Sequence, residues 1–534
     1  MGVEAPSLPL ASRMEIEART PARPVPVCPR RRTGVALRLF ITVWVVYALH
    51  FASDVVRETY LALALGDHLS IRVDEYLGLH PDLFVVPGRG AFINNNPGAS
   101  LLGALPYAAA RPFIDELLRL KPELARPKPP ASYADPRPNR NRFMNEARAR
   151  GLDIKLGLAA GVMQVGLMAP LGALAAVVLF GFLRRRLRDE RAALWLALLY
   201  AFGTPLFFRS AFLNQNAIVA QLVLFAYIVA TGAEARGGGG RGDGGAPRRR
   251  SARTLFGTGA LLGATILCDY SGVPLLLAFA AWLAWRDAAA SGVRGALRAL
   301  LVFGLGAAGP VALLLGYQWA AFGNPIFPAQ HYMPATALSV RGFAGIAGPS
   351  AELLWRNLLD PRYGLFVFCP MLVAALAAPL LRRRPGGPSG PELALAFGAA
   401  GALYLFASSV QYALLQWNTG VRYLVPAAAL LFFALVPVLL RLPRWALWAL
   451  VLPTLAVSWS VAMARESVPL SLEIVFLRGF QLPWLEVLQK TAAGYLPMLA
   501  GGTSPLPIFA FTGAALWLLW RRPAERAAGA AAKP

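Results

Sequence analysis

The sequence predicts an all-α polytopic membrane protein, with about twelve transmembrane helices and a long first extracytoplasmic loop carrying interfacial helices. Three observations lead there. Apolar runs recur from residue 35 to residue 520 of a 534-residue chain that is 57% hydrophobic, with mean hydropathy +0.51. Arginines gather in short groups at the ends of those runs instead of spreading over one surface. A polar stretch from Asp54 to about Lys155 separates the first run from the second.

In chain order the spans fall at 35–53, 157–183, 192–207, 216–232, 255–268, 272–285, 299–321, 364–381, 391–411, 423–440, 445–463 and 506–520. Arg30, Arg31 and Arg32 precede the first span, and no small-residue cleavage site clearly follows it, which predicts an uncleaved helix with a cytoplasmic N-terminus. The loops then assigned to the cytoplasm are Arg184–Arg191, Glu234–Arg253, Arg286–Arg298, Arg382–Pro385, Arg441–Arg444 and Arg521–Arg526, and all are basic. That alternation predicts a multi-pass membrane protein whose working face is extracytoplasmic. Residues 1–34, rich in Pro and Ala where they begin, read as a disordered cytoplasmic tail. Residues 35–463 form the transmembrane core, including the loop 54–156; residues 464–534 hold a late extracytoplasmic loop, the last span and a short tail.

Composition also excludes classes. A net charge of +24 would suit nucleic acid in a soluble protein, but here the charge lies beside apolar segments and reads as a topology signal. Cys28, Cys268 and Cys369 have no metal-ligand spacing, and the four histidines are unclustered. No phosphate-binding P-loop, zinc-protease or serine-hydrolase motif occurs.

The unusual polar residues concentrate on the predicted outer side. "SDVVRETYLALALGDHLSIRVDEYLGLHPDLF" supplies Asp54, Asp74, Glu75 and Asp82, carboxylates suited to act as a general base or to hold a hard divalent cation. The apolar pattern at Tyr60–Leu65 suits a helix lying along the membrane interface. Asn94, Asn95 and Asn96 precede a Pro-Gly turn and an apolar helix, which reads either as a phosphate site at a helix N-terminus or as capping by asparagine. Arg209, Asn214 and Asn216 fall at a helix end. Asp269 interrupts apolar sequence, where a carboxylate needs a partner or a function. Arg362 in "NLLDPRYGLFVFCP" and Arg422 with Tyr423 in "QWNTGVRYLVPAAALL" stand at span boundaries, where a guanidinium fork can hold a phosphate.

The order of these motifs resembles that of the GT-C superfamily of bacterial membrane glycosyltransferases, relatives of the protein-mannosyltransferase-like and ArnT-like enzymes. "PGASLLGALPY", "GTPLFFRSAFLNQN", "GNPIFPAQHY", "LLDPRYGLFVFCP" and "QWNTGVRYLVPAAALL" carry the resemblance, from about Phe51 to Leu440. It implies the inner membrane of a bacterium and an inverting transferase that takes a polyprenyl-phosphate sugar and passes the sugar to a glycan, lipid or protein acceptor, with a carboxylate of the first external loop as base. Asp74 is the first choice for that role, Asp82 or Glu75 the second and Asp54 the third. Arg422, Arg362 and the turn of Asn94, Asn95 and Asn96 are the implied phosphate contacts. Where relatives often read a lysine before the Pro-Gly turn, this chain has asparagine. No cofactor is required by this reading, although a divalent cation fits it. A transporter or lipid flippase is the alternative; it would show repeated halves, and no such similarity is found.

Overall fold

The computed structural model describes residues 29–131, 138–235, 249–381, 387–418, 420–492 and 504–521. Most of the predicted tail, all of 132–137 and most of the Gly/Arg linker therefore lie outside the described residues. Within them the chain is almost entirely helical, with one two-stranded antiparallel sheet. Helix α1 (Pro29–Leu49) leads to α2 (Arg57–His68), a hairpin of β1 (Leu83–Val86) and β2 (Gly90–Ile93), and α3 (Gly98–Leu120). There follow α4 (Pro138–Ala149), α5 (Asp153–Met163), α6 (Ala169–Leu187), α7 (Glu190–Gly203), α8 (Leu206–Arg209), α9 (Gln215–Ala235), α10 (Ala252–Cys268) and α11 (Gly272–Phe322). The remainder is α12 (Ala351–Leu359), α13 (Leu365–Phe368), α14 (Gly390–Ala407), α15 (Val425–Leu439), α16 (Arg444–Ala464), α17 (Val468–Arg478), α18 (Pro483–Ala492) and α19 (Leu506–Trp520).

Five helical stretches are long and apolar enough to cross a membrane: Asp153–Leu187, Gln215–Gly232, Gly272–Phe322, Gly390–Ala407 and Arg444–Ala464. Gly34–Leu49, Ala252–Cys268, Pro370–Leu380, Val425–Leu439 and Leu506–Trp520 are shorter apolar helices. At the centre lies α15, apolar all round, with every residue but Pro437 buried. Outer helices instead expose large apolar side chains, among them Leu301, Leu305, Trp319, Phe511 and Trp517. A surface of that kind suits lipid better than water.

Three predicted spans take unexpected forms. The spans 272–285 and 299–321 belong to one helical hairpin. Tyr270, just before α11 begins, hydrogen-bonds Gln318 near its end, so the chain must double back between them. It does so at Ser291 (φ −149°, ψ 19°) and Gly292, whose φ of 65° favours glycine. The predicted span 364–381 is not one α-helix. Cys369 breaks it between α13 and a tighter 3-10 segment, Pro370–Leu380, because Pro370 cannot continue the ladder.

Small residues bring backbones together. A Cβ on Gly259 would lie 2.0 Å from the Phe303 carbonyl oxygen, and one on Gly263 would lie 2.6 Å from that of Ala307. This Gly-x-x-x-Gly face of α10 seats the returning arm of α11, a packing mode common where lipid removes the hydrophobic drive between helices. Helices α5 and α6 run on through a π-helical turn, Gln164–Met168. The amide of Gln164, fully buried there, donates to the carbonyls of Tyr47 (2.9 Å) and Ser210 (3.2 Å) and so ties α1 to the turn before α9.

Replacing Gly259 with Val is expected to lower stability by about 1–3 kcal/mol through overpacking against Phe303. Gly257→Val, where nothing lies within 4 Å of the added Cβ, should change it far less. Thermal unfolding in detergent compares the two; equal losses would refute the close helix contact.

Candidate functional site

A cavity of about 1650 Å³ opens at the bundle end where α1, α7, α10, α14 and α16 finish and α9, α11 and α15 begin. That volume exceeds the range of roughly 300–1,000 Å³ usual for small-ligand pockets. Part of its wall is apolar, with Ile154, Leu158, Ile474, Leu482, Trp484 and Leu488. The rest is heavily charged. Six arginines line it, Arg57, Arg148, Arg209, Arg422, Arg465 and Arg478, against six carboxylates, Asp54, Glu58, Asp82, Asp153, Asp269 and Glu466.

The charges are ordered rather than scattered. Arg57, first residue of α2, pairs with the Asp82 carboxylate and lies 3.1 Å from Glu58 Oε1. Glu58, 1% exposed, also accepts from Asn95 Nδ2 at 2.6 Å. Across the cavity, Asp54 Oδ2 pairs with Arg465 Nη2 at 3.0 Å, while Arg465 Nη1 donates to the Phe208 carbonyl at 3.0 Å. Arg209 and Arg465 both lie over the Phe212 ring, at 5.4 and 5.0 Å from its centroid. Arg422 Nη2 donates to the Tyr423 hydroxyl at 2.6 Å. The backbone N–H groups of Arg422 and Tyr423 both donate to Gln416 Oε1, at 2.9 and 3.0 Å, which fixes where that side chain starts. The Arg422 Nε is a buried donor without a hydrogen-bond partner among the described residues.

His80 stands beside Asp82. Its Nδ1 accepts the Asp82 N–H at 3.1 Å, which leaves the ring proton on Nε2, and the ring stacks on Phe143 with centroids 6.2 Å apart. Burial pushes the His80 imidazole below its ordinary 6.5 despite Asp82 nearby. Burial would push the Asp82 carboxyl up, but Arg57, His80 and Arg422 together hold it below the ordinary 3.8. At neutral pH the pair is therefore a neutral imidazole beside an ionised carboxylate.

The structure separates the sequence candidates. Asp54, Asp82, Asn94, Asn95, Asn214, Asp269, Arg422 and Tyr423 all line the cavity. Asp74 and Glu75 do not. Asp74 lies on the exposed flank of the hairpin, where Oδ2 pairs with Arg72 at 2.8 Å and Oδ1 accepts the Ala91 N–H at 2.9 Å, so it braces β2. Glu75, also exposed, faces His68 at 4.0 Å. Arg362 sits outside as well, folded back on Asp360 at 3.3 Å. The capping reading of the asparagines does not hold for α3, whose N-terminus no side chain caps; Asn94 and Asn95 line the cavity instead. Asn214 does cap, its Oδ1 accepting the Ala217 N–H at 3.0 Å ahead of α9.

Arg57, Glu58, His80 and Arg465 were not singled out by sequence. Arg57 and Glu58 were within reach, three and four residues after Asp54. His80 has no neighbouring histidine in sequence to mark it. Arg465 lies 411 residues from Asp54, and nothing local links them. One group could hold a metal ion among the described residues, Asp67, His68 and Glu75. It lies outside the cavity, and Asp67 is already engaged by Lys155 at 2.7 Å, Arg111 at 3.2 Å and the Tyr107 hydroxyl at 2.8 Å. No family model, no curated protein and no solved structure matches the chain.

Both pKa shifts act on stability in the same direction. A group whose folded value lies below its unfolded one stabilises the fold above the unfolded value and loses that contribution as pH falls through the folded one. For His80 the loss begins below 6.5 and for Asp82 below 3.8. Acidifying from about pH 7 to about pH 5, the usual window of histidine titration, should therefore lower the wild-type unfolding midpoint more than that of His80→Asn. Parallel curves would remove the buried neutral histidine.

Proposed function

We propose that this chain is a membrane glycosyltransferase that moves a sugar from a polyprenyl-phosphate donor to an extracytoplasmic glycan, lipid or protein acceptor. The observation that carries the reading is the joining, in one large cavity, of an arginine group, carboxylates and an apolar wall. A lipid-linked sugar phosphate presents matching parts: an anion, a polyol and a hydrocarbon tail. In this reading the five long helices, with α11 crossing twice, the five shorter apolar helices and α7 make twelve crossings. The basic loops at the opposite end of the bundle mark the cytoplasm of a bacterial inner membrane, so the cavity opens outside.

The chemistry follows from the residues. An acceptor hydroxyl attacks the anomeric carbon as the bond from that carbon to the phosphate oxygen breaks. Asp82 takes the hydroxyl proton, and His80 and Arg57 hold its carboxylate in place. The leaving polyprenyl phosphate keeps its electron pair, and its charge is met by Arg422 and Arg209. Asp54 aims Arg465 at the same anion. Attack opposite the leaving group inverts the anomeric centre, as the resemblance to the GT-C superfamily implies. Asp82 takes the role of base over Asp74 and Glu75 because it lines the cavity and they do not.

The test is sugar release from labelled polyprenyl-phosphate sugars by the purified protein in liposomes, with an acceptor extract and with and without a divalent cation. Asp82→Asn is expected to lower turnover by about 10²–10⁴-fold, the usual contribution of a positioned base, at a temperature where the variant, although its unfolding midpoint falls with the loss of the Arg57 pair, is still folded. Arg422→Ala should chiefly weaken donor binding. Loss in Asp54→Asn alone would move the base there, and donor flipped across the bilayer without release would instead establish a flippase.

A further inference from the structure

The cavity wall is chemically divided. One part presents arginines. Another, formed where the turn 94–98 meets the end of α10, presents acceptors. Asp269 follows the last turn of α10, is 8% exposed and lines the cavity, and its Oδ1 accepts the Ser271 N–H at 2.8 Å. Among the described residues it enters no ion pair, unlike Asp54 and Asp82. A carboxylate so placed among apolar helices asks for a donor from elsewhere.

Asn94 stands on the same wall. Asn96 Nδ2 fastens the turn to α10 by donating to the Ile266 carbonyl at 2.7 Å. The Asn94 backbone is occupied on both sides: its N–H donates to the Asp82 carbonyl at 3.0 Å, and its carbonyl accepts from Gln330 Nε2 at 2.7 Å. Its side chain is not occupied. Asn94 is 8% exposed and lines the cavity, and its Oδ1 is buried with no hydrogen-bond partner among the described residues. Gln318, bonded to the Tyr270 hydroxyl and to the Phe327 carbonyl, braces the segment that carries Gln330 against the start of α11. Asn94 is thus held beside the backbone of Asp82, and Asp269 at the end of α10 to which the same turn is fastened.

We infer that Asp269 and Asn94 form the sugar subsite of the proposed transferase and select a non-acidic sugar, one that turns hydroxyl or amino donors and no carboxylate toward them. The inference rests on the transferase reading. Acceptors left without donors carry the full desolvation penalty, so a site built this way favours a ligand that supplies hydrogens. A uronic acid would set a second negative charge against Asp269. A phosphate would do the same, which assigns the lipid phosphate to the arginine part of the cavity and leaves the sugar facing α10.

The test compares binding of polyprenyl phosphate, a polyprenyl-phosphate hexose, the matching aminohexose and the matching uronate to the purified full chain in nanodiscs. The hexose or the aminohexose is expected to bind at least about tenfold more tightly than the bare lipid phosphate, the scale of one or two good hydrogen bonds, and the uronate no more tightly. Asn94→Ala, which keeps both backbone bonds, and Asp269→Asn, which keeps the Ser271 bond, should each erase that gain and leave bare lipid phosphate binding unchanged. A gain that survives both variants, or a uronate bound as tightly as the hexose, would overturn the subsite and leave the donor reading standing. Failure of the wild type to bind bare polyprenyl phosphate would reject the donor reading and the subsite with it.

Discussion

Arg57 stands between Glu58 and Asp82, and the loop end of the bundle is organised around that triple. Three segments meet there. Arg57 and Glu58 open α2, Asp82 precedes β1, and Asn95 and Ser100 reach Glu58 from the turn and first residues of α3. Charges with so little exposure are tolerable only when each has an opposite partner, and removing one partner from such a pair costs several kcal/mol. The triple therefore sets the position of the hairpin relative to the helices. It also sets Asp82 at the cavity wall in its ionised form.

Buried ion pairs occur at the opposite end too, and the comparison shows what distinguishes a site from a clamp. Arg250 pairs with Asp287 at 3.1 Å, lies 4.5 Å above the Trp282 ring and takes Arg298 against its carbonyl at 3.1 Å. Arg186 pairs with Glu392, which also completes the capping box of α14 with Ser389. Those guanidinium groups are wrapped by protein, and their work is to join helix ends. At the loop end the same chemistry borders an open volume, with the Arg422 Nε and the Asn94 Oδ1 lacking partners among the described residues. Unspent donors and acceptors beside a cavity are what a ligand completes.

Much of the helical arrangement was legible because apolar runs of spanning length have few other uses. The exceptions have local causes. "RDAAASGVRGALR" is helix-forming on either side of Ser291–Gly292, so the expected loop is mostly helix and only the reversal is irregular. Hydropathy is blind to a backbone break, so Cys369–Pro370 interrupted a span that composition made continuous. The site was legible in outline and not in rank. Asp74 and Glu75 look as catalytic as Asp82 in a string of letters, because exposure is decided by the hairpin: β2 takes Asp74 as a brace for its Ala91 N–H. Asp82 points inward because Arg57 and His80 wait there. The Asp54–Arg465 pair needed the whole fold to close.

The three consecutive asparagines show how finely that fold divides labour. A run of identical amides reads as one feature, a cap or an anion cradle, yet each has its own partner. Asn96 holds the turn to the end of α10, and Asn95 satisfies the buried Glu58. With its two neighbours committed to structure and the Pro-Gly turn closed against Cys268, Asn94 is placed without freedom to move away from the cavity. Its backbone bonds to Asp82 and Gln330 remove the remaining play. Its amide oxygen, buried and without a partner among the described residues, favours a bound group that brings a hydrogen.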